Sequence, residues 1–281
     1  MCHPPTNVPM NSAHNRNRWL SHIRRVWIAA GLVFTVVFTG WSLWAYRADA
    51  DAHAALVSDD QVMVQHDDGV WSFVPTRGDS SRGDGAALVF FPGALVDPVA
   101  YAPLLRAVAA GGYRAYLVEI PRRAAFGGAD SPLLAARLTR VVAGAAKPVR
   151  WVAAGHSKGG VVASTVASQQ RPGFSGLVLI GTSHPRDVDL SGLTVPVTKI
   201  VGTHDGLASR AEVESNRGKL PLSTRWEWIE GGNHSQFGWY GFQPGDRWPH
   251  IAAAAQRDVM IRRVLDMLAD VTGHPPSLPL S

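Results

Sequence analysis

Strand-length runs alternate with helical patterns along most of the chain. The runs that predict strands lie at residues 87–91, 115–120, 151–154, 177–180, 198–201 and 226–229. The helix predicted after the first run has an apolar face with the spacing i, i+3, i+4 and i+7, formed by Tyr101, Leu104, Leu105 and Val108. This alternation predicts an α/β fold, in which helices cover both faces of a mostly parallel sheet.

A predicted β-hairpin precedes this pattern, and a long helix ends it. Residues 61–64 and 70–74 have strand composition and flank the turn sequence His66-Asp67-Asp68-Gly69. Further helices are predicted near residues 131–145, 158–167, 209–220 and 251–268. The whole domain, residues 61–275, is long enough to bury one sizeable core.

Residues 26–46 form an uncharged apolar segment that is long enough to span a bilayer as a helix. Arginines cluster before this segment, so residues 1–25 are predicted to be cytoplasmic and the domain extracytoplasmic. Residues 47–60 have no periodicity and are predicted to be a tether. The alternative is a cleavable signal peptide and a secreted protein, since Ala48-Asp49-Ala50 resembles a cleavage site.

Composition and charge narrow the possible functions. The sequence is 46% hydrophobic and 17% charged, as is typical of a globular protein. The net charge of +5 comes from the N-terminal region, because five arginines and no acidic residue precede Asp49. The remaining 22 basic residues balance 22 acidic ones, which excludes an electrostatic surface for nucleic acid. The single cysteine, Cys2, precedes the apolar segment, so the domain has no disulfide.

The most informative stretch is residues 150–160, RWVAAGHSKGG. A buried strand, a sharp turn with the pattern G-x-S-x-G and a buried helix are predicted in succession, the context of a nucleophile elbow. The glycines at 155 and 159 are required because the turn strains the serine backbone and brings neighbouring chain close. The helix that begins at Lys158 directs free N–H groups toward Ser157, the predicted nucleophile.

Four stretches resemble the α/β-hydrolase fold, specifically its small family 5 type: VFFPGALVDPVAYAPLLRAVAAGGY, AAGHSKGG, VGTHDG and EGGNHSQFGWYG. They lie within residues 87–268 and follow the order serine, acid, histidine that is typical of that family. The resemblance implies a serine hydrolase. It also implies the absence of a large lid, because only residues 183–197 separate the sixth strand from the seventh.

The base is predicted to be His234, since a free serine hydroxyl is a poor nucleophile at neutral pH. His234 follows a strand at the sheet edge where α/β proteins bind ligands. Asp205 ends the preceding strand and is predicted to orient His234, or alternatively to cap its own loop. His156 is predicted to pack or to form a hydrogen bond, because adjacent strand residues point to opposite faces. The reserve bases and acids are His184, His204, Asp187 and Asp189.

The backbone N–H groups of Ala94 and Lys158 are predicted to form the oxyanion hole. The Lys158 side chain either attracts an acidic substrate or is solvated or salt-bridged, and both interpretations also apply to Arg122 and Arg123. Substrate-binding walls are predicted at Tyr101, Phe126, His184 and Phe237, with Trp239 as a further candidate. For the aromatic residues, ordinary packing is the alternative.

The sequence therefore predicts a membrane-anchored extracytoplasmic serine hydrolase that cleaves an ester or related acyl bond through an acyl-enzyme. The expected partner is a small-molecule or lipid-like acyl substrate, with single-pass membrane association. Neither a metal nor another cofactor is expected, because no metal-ligand spacing recurs. An acyltransferase or a peptidase would use the same residues, and a non-catalytic binding module on a hydrolase scaffold is the alternative outside the enzymes.

Overall fold

Eight strands form one sheet in the order β1-β2-β4-β3-β5-β6-β7-β8. The computed structural model describes residues 11–76, 85–145 and 149–273, so Cys2 and the predicted domain end at 275 lie outside the described residues. The strands are Val62–Asp67 (β1), Val70–Pro75 (β2), Ala86–Phe91 (β3), Arg114–Val118 (β4), Arg150–His156 (β5), Phe174–Ile180 (β6), Val197–Gly202 (β7) and Arg225–Ile229 (β8).

The sheet is mostly parallel, as predicted. Strand β2 is antiparallel to both of its neighbours, and all of the other strand pairs are parallel. The predicted hairpin is confirmed, because Asp67 pairs with Val70 across a two-residue turn. The turn residues Asp68 and Gly69 have φ values of 40° and 73°, the left-handed conformation that tight hairpin turns require.

Helices cover both faces of the sheet. The α-helices of the described residues are Asn11–Ala45 (α1), Ala50–Ala54 (α2), Ala102–Ala110 (α3), Pro132–Ala143 (α4), Lys158–Ser168 (α5), Arg210–Ser215 (α6) and Ala253–Thr272 (α7), of which α3 and α7 lie on one face of the sheet and α4 and α5 on the other. Alternation along β3 explains the two layers, since successive side chains point to opposite faces. Leu88 and Phe90 join the core beneath α3 and α7, whereas Val89 and Phe91 join the core beneath α4 and α5.

The connection between β6 and β7, residues 181–196, contains no helix and no inserted domain. Its end is held by apolar residues, since Leu190 and Leu193 are buried in the core beneath α4 and α5. The predicted absence of a large lid is confirmed. The carboxyl edge of the sheet is therefore bordered by short loops.

The first of two compact units, residues 1–44, contains most of helix α1. Its apolar part spans Arg18–Ser42, 25 residues with a mean hydropathy of 1.5. The hydroxyl of Thr35 donates to the carbonyl of Gly31 at 2.8 Å, so this polar group is satisfied within the helix. The length and composition suffice to cross a membrane, and a signal sequence would share both properties.

The prediction of a tether at residues 47–60 is wrong. The second compact unit begins at Ala45, and residues 45–60, which we call the N-terminal strap, belong to it. Asp49 caps α2 by accepting a hydrogen bond from the N–H of Ala52 at 2.9 Å. The side chains of Ala52 and Ala55 are buried in the core. Helix α2 has five residues, which is too short to give the sequence a detectable period.

Backbone hydrogen bonds attach the strap to two loops. The carbonyls of Ala45 and Tyr46 accept from the N–H groups of Gly241 and Asp97, each at 2.9 Å. The N–H of Asp49 donates to the carbonyl of Trp239 at 2.9 Å. Further along, Arg106 donates to the carbonyls of two strap residues, Ala55 and Val57. The strap is therefore a folded part of the domain.

The packing of the strap predicts a contrast between two substitutions in α2. Ala52 is fully buried and Ala54 is exposed. Ala52→Asp places an unpaired carboxylate in the core and should lower the free energy of unfolding by about 3–5 kcal/mol, or the melting temperature by about 10 °C. Ala54→Asp should change the melting temperature by less than about 2 °C. Equal, small effects in calorimetry would show that the strap is a loose tether after all.

Candidate active site

Ser157 occupies a strained turn between β5 and α5. Its φ and ψ angles are 53° and −118°, a combination that costs a residue with a side chain about 1–3 kcal/mol. A Cβ atom at Gly155 would lie 2.2 Å from the carbonyl oxygen of Gly159. A Cβ atom at Gly159 would lie 2.0 Å from the carbonyl oxygen of Phe91. Both glycines are required by close backbone contacts, as the sequence predicts.

His234 and Asp205 form a buried pair next to this turn. The Nδ1 atom of His234 lies 2.8 Å from Oδ2 of Asp205, and both side chains are almost completely inaccessible. The other carboxylate oxygen of Asp205 accepts from the N–H groups of Leu207 at 2.8 Å and Ala208 at 2.6 Å. Asp205 therefore both caps its own loop and binds His234. The sequence analysis treated these two roles as alternatives, but the residue has both contacts.

The tautomer of the neutral His234 ring follows from this pairing. The Asp205 carboxylate accepts the Nδ1 proton, so Nε2 of the neutral ring carries a lone pair. Among the described residues, Nε2 of His234 is buried and has no hydrogen-bond partner. Ser157 and His234 line the same cleft. The arrangement brings together the three residues that the sequence predicts as catalytic.

A second carboxylate, Asp246, holds the loops that carry the pair. Its side chain accepts from the N–H groups of Gly206 at 3.0 Å, His234 at 3.2 Å and Ser235 at 2.8 Å. It links the Asp205 loop to the His234 loop. The sequence analysis missed Asp246, because it follows a Pro-Gly turn whose local pattern gives no indication of this tertiary contact.

His156 is buried between Tyr101 and His234. The Tyr101 hydroxyl accepts from the N–H of Gly93 at 3.2 Å and therefore donates its own proton to Nδ1 of His156 at 2.7 Å. Burial, together with the neighbouring His234, holds the pKa of His156 well below its usual range. The His156 ring is neutral and lies 4.5 Å, centroid to centroid, from the His234 ring. His156 has the packing and hydrogen-bonding role that the sequence predicts.

Three of the four predicted substrate-binding walls are not part of the cleft. Tyr101 and Phe237 are fully buried, because they pack against the His156 ring at 5.8 and 5.6 Å. Phe126 is 91% exposed and lies outside the cleft, because its loop turns outward through left-handed residues. The further candidate, Trp239, is also buried. His184 does line the cleft.

The cleft is small and lies at the carboxyl edge of the sheet. Its volume is about 190 Å³, and its lining includes Ser157, Lys158, His184, Arg186, Leu207 and His234. In the part of the chain that the structure describes, no group of three His, Cys, Asp or Glu residues is arranged to hold a metal.

Two backbone N–H groups are available next to Ser157. Lys158 is the first residue of α5, so its N–H has no intrahelical acceptor. The chain at Gly93 lies against the serine, since a Cβ atom there would lie 3.6 Å from Cβ of Ser157. Two residues after Gly93, the N–H of Leu95 donates a hydrogen bond to the carbonyl of Arg123 at 2.8 Å. Within the described residues, the N–H groups of Ala94 and Lys158 donate no hydrogen bond.

A buried lysine fixes the loop that carries His184. Lys199 points from β7 into the protein and donates a hydrogen bond to the carbonyl of His184. Burial lowers the pKa of Lys199 to about 7. Burial also lowers the pKa of His184 to about 4, assisted by the positive charges of Arg186 and Lys199. His184 is therefore neutral at physiological pH.

The architecture and the elbow together define the class of protein. The model of the "Alpha/beta hydrolase family" matches residues 87–258, which is more than half of the chain. The chain belongs to the alpha/beta hydrolase family. A comparison with curated proteins gives no match.

Solved structures share the fold at low sequence identity. An esterase/lipase from an uncultured bacterium is 13% identical with a TM-score of 0.57, covering 79% of this chain and 89% of that chain. A dienelactone hydrolase from Anabaena variabilis is 19% identical with a TM-score of 0.52, covering 72% and 96%. Thermogutta terrifontis esterase 2 phosphonylated by sarin is 14% identical with a TM-score of 0.52, covering 79% and 99%. These likenesses confirm the predicted α/β-hydrolase fold.

The depressed pKa of Lys199 predicts a pH dependence of stability. Between about pH 7 and 10.5 this lysine is neutral in the folded protein but protonated in the unfolded chain. Unfolding then takes up a proton, so the free energy of unfolding falls as the pH falls, by at most about 1.4 kcal/mol per pH unit. Below about pH 7 both states are protonated and the contribution is constant.

Lys199→Met removes this contribution. The difference in free energy of unfolding between Lys199→Met and the wild type should change steadily from about pH 10 to about pH 7 and then level off. Denaturant titrations at a series of pH values measure it. A difference that is the same at every pH would mean that Lys199 is charged in the folded protein.

Proposed function

We propose that this protein is a membrane-anchored serine hydrolase that cleaves an ester or a related acyl bond through an acyl-enzyme. One observation carries the proposal: the buried Asp205–His234 pair leaves Nε2 of His234 without a partner in the cleft that contains Ser157. A buried, unsatisfied nitrogen is costly in a protein that only binds ligands. In a catalytic site, such a nitrogen can accept the proton of the attacking hydroxyl group.

The proposed reaction begins with attack of the Ser157 hydroxyl oxygen on the acyl carbon. His234 accepts the serine proton at Nε2, and Asp205 stabilises the resulting imidazolium through Nδ1. The free N–H groups of Ala94 and Lys158 are the donors proposed for the oxyanion of the tetrahedral intermediate. His234 then returns its proton to the leaving group. Water, activated by the same histidine, hydrolyses the acyl-enzyme.

The size and position of the cleft support a small acyl substrate, including a lipid-like one. A cleft of about 190 Å³ with no lid accepts a short acyl group and leaves the remainder of the substrate in solvent. An esterase/lipase and a dienelactone hydrolase have similar structures, and an esterase cleaves an ester bond. We extend the ester bond to this chain as part of the proposal. An acceptor alcohol in place of water would give acyl transfer with the same residues.

Substitutions in the triad test this mechanism. Ser157→Ala should abolish hydrolysis of 4-nitrophenyl acetate and labelling by a fluorophosphonate, because the attacking oxygen is removed. A fluorophosphonate is suitable because a structurally similar esterase is phosphonylated by sarin. Asp205→Asn should lower kcat on the order of 10³–10⁴-fold, because the amide cannot stabilise the imidazolium.

The matched control is Asp187→Asn, which changes an acid after the preceding strand, β6. It should retain kcat within about two-fold, since Asp205 already occupies the position next to His234. A fully active Asp205→Asn together with an inactive Asp187→Asn would transfer the acid to residue 187. Wild-type labelling of Ser157→Ala would reject the nucleophile itself.

We further propose that the chain is anchored by an uncleaved helix, with residues 1–25 in the cytoplasm and the catalytic domain outside. The arginines before the apolar segment favour this orientation. The strap supports retention of the anchor, because Ala48 pairs with Tyr240 and Asp49 caps α2. Cleavage after Ala50 would remove these contacts from the folded domain. The proposed domain therefore begins at Ala45, and the membrane segment ends just before it.

The single native cysteine allows a direct test of orientation. In right-side-out membrane vesicles, a membrane-impermeant maleimide should not label Cys2 until detergent is added. The variant Cys2→Ser/Ser223→Cys, which moves the thiol to an exposed position of the domain, should be labelled at once. The reverse labelling pattern would invert the topology. A soluble mature protein that starts near residue 51 would establish signal-peptide cleavage instead.

A further inference from the structure

The cleft contains a cation that the proposed mechanism does not use. Lys158 lines the cleft beside Ser157, and its side-chain charge acts on His184 in the same cleft, although the mechanism requires only its backbone N–H. Among the described residues, Lys158 forms no ion pair and no side-chain hydrogen bond. The salt bridge that the sequence analysis considered is therefore not observed, and a solvated side chain is the alternative to substrate attraction. We propose that Lys158 selects ester substrates that bear a negative charge close to the scissile bond. This inference rests on the proposed function.

The charges around the cleft are predominantly positive. Lys158 and Arg186 both line it, and no lining residue is Asp or Glu. Arg186 already has two partners, since it pairs with Glu212 at 3.0 Å and donates to the Ser183 hydroxyl at 2.9 Å. Lys158 is therefore the cation whose charge is available to a ligand.

The groups that face His184 give a second indication of the field. Burial lowers the pKa of His184 most, the positive charges of Arg186 and Lys158 lower it further, and Asp187 opposes them. Asp205 is withdrawn from the cleft by its hydrogen bonds to His234 and to the Leu207 and Ala208 N–H groups. The N-terminus of α5, an 11-residue helix, adds its positive dipole end at the same place. A substrate anion entering the cleft meets compensating charge.

The other cations that the sequence analysis considered are already occupied. Arg123 pairs with Asp97 at 3.3 Å, and Arg122 donates to the carbonyl of Phe126 at 2.7 Å. Neither lines the cleft. The preference is thereby assigned to Lys158, and to a substrate group small enough to lie next to the reacting carbonyl, such as a carboxylate.

The test compares two pairs of esters that differ mainly in one charge. The anion lies on the acyl side in 4-nitrophenyl hemisuccinate, with 4-nitrophenyl butyrate as its neutral partner. It lies on the alcohol side in 4-acetoxybenzoate, with methyl 4-acetoxybenzoate as its neutral partner. In at least one pair, wild-type kcat/KM should be on the order of ten-fold higher for the anion, and the excess should shrink as NaCl rises from about 20 to about 200 mM. The pair that responds shows on which side of the ester the charge is recognised.

Lys158→Met should reduce the anion-to-neutral ratio of kcat/KM on the order of ten-fold while keeping the backbone N–H. The control is Arg171→Met, which removes an exposed cation near the opposite end of α5 and should leave the ratio as in the wild type.

A ratio at or below one for both pairs, or a ratio that Lys158→Met does not change, would overturn the inference. Fluorophosphonate labelling separates the two proposals: labelled Ser157 with hydrolysis of neutral esters keeps the proposed function, whereas loss of both removes it and the inference together.

Discussion

The buried hydrogen bond between His234 and Asp205 is the interaction on which the arrangement of the carboxyl edge depends. A carboxylate removed from water is costly unless its oxygens are satisfied. Asp205 meets this condition with three donors, of which one is His234 and two are N–H groups of its own loop. Asp246, which is partly buried, accepts hydrogen bonds from N–H groups of both loops and so joins them. Neither loop can move without leaving buried carboxylate oxygens unpaired.

Local sequence patterns predict much of this fold because they reflect constraints that act within a single strand, helix or turn. Alternating apolar residues in β3 reflect two buried faces, and the glycines at 155 and 159 reflect contacts with their immediate neighbours. The order of serine, acid and histidine then places each residue at the end of a strand. Ser157, Asp205 and His234 each follow the carboxyl end of a parallel strand, so their places in the sequence already predict their places in the sheet.

The sequence fails where the outcome depends on packing between elements. From the sequence, Tyr101 and Phe237 could either line a pocket or pack in the core. They pack in the core because both rings point toward His156, which the sequence does not indicate. Helix α2 of the strap is too short to show a period, yet Ala52 and Ala55 are buried in the core. Asp246 lies in an ordinary turn sequence. None of these roles has a local pattern that could have indicated it.

The strap also has a consequence for any cleavage of the chain near residue 50. Its backbone partners are Asp97, three residues after Ala94, and Trp239, five residues after His234. A cut after residue 50 would remove the groups that satisfy them, at roughly 1–3 kcal/mol for each buried polar group left unpaired. The loss would fall on the loops next to Ala94 and His234, the proposed oxyanion donor and base. Cleavage at this point would thus loosen the edge of the sheet that carries the proposed active site.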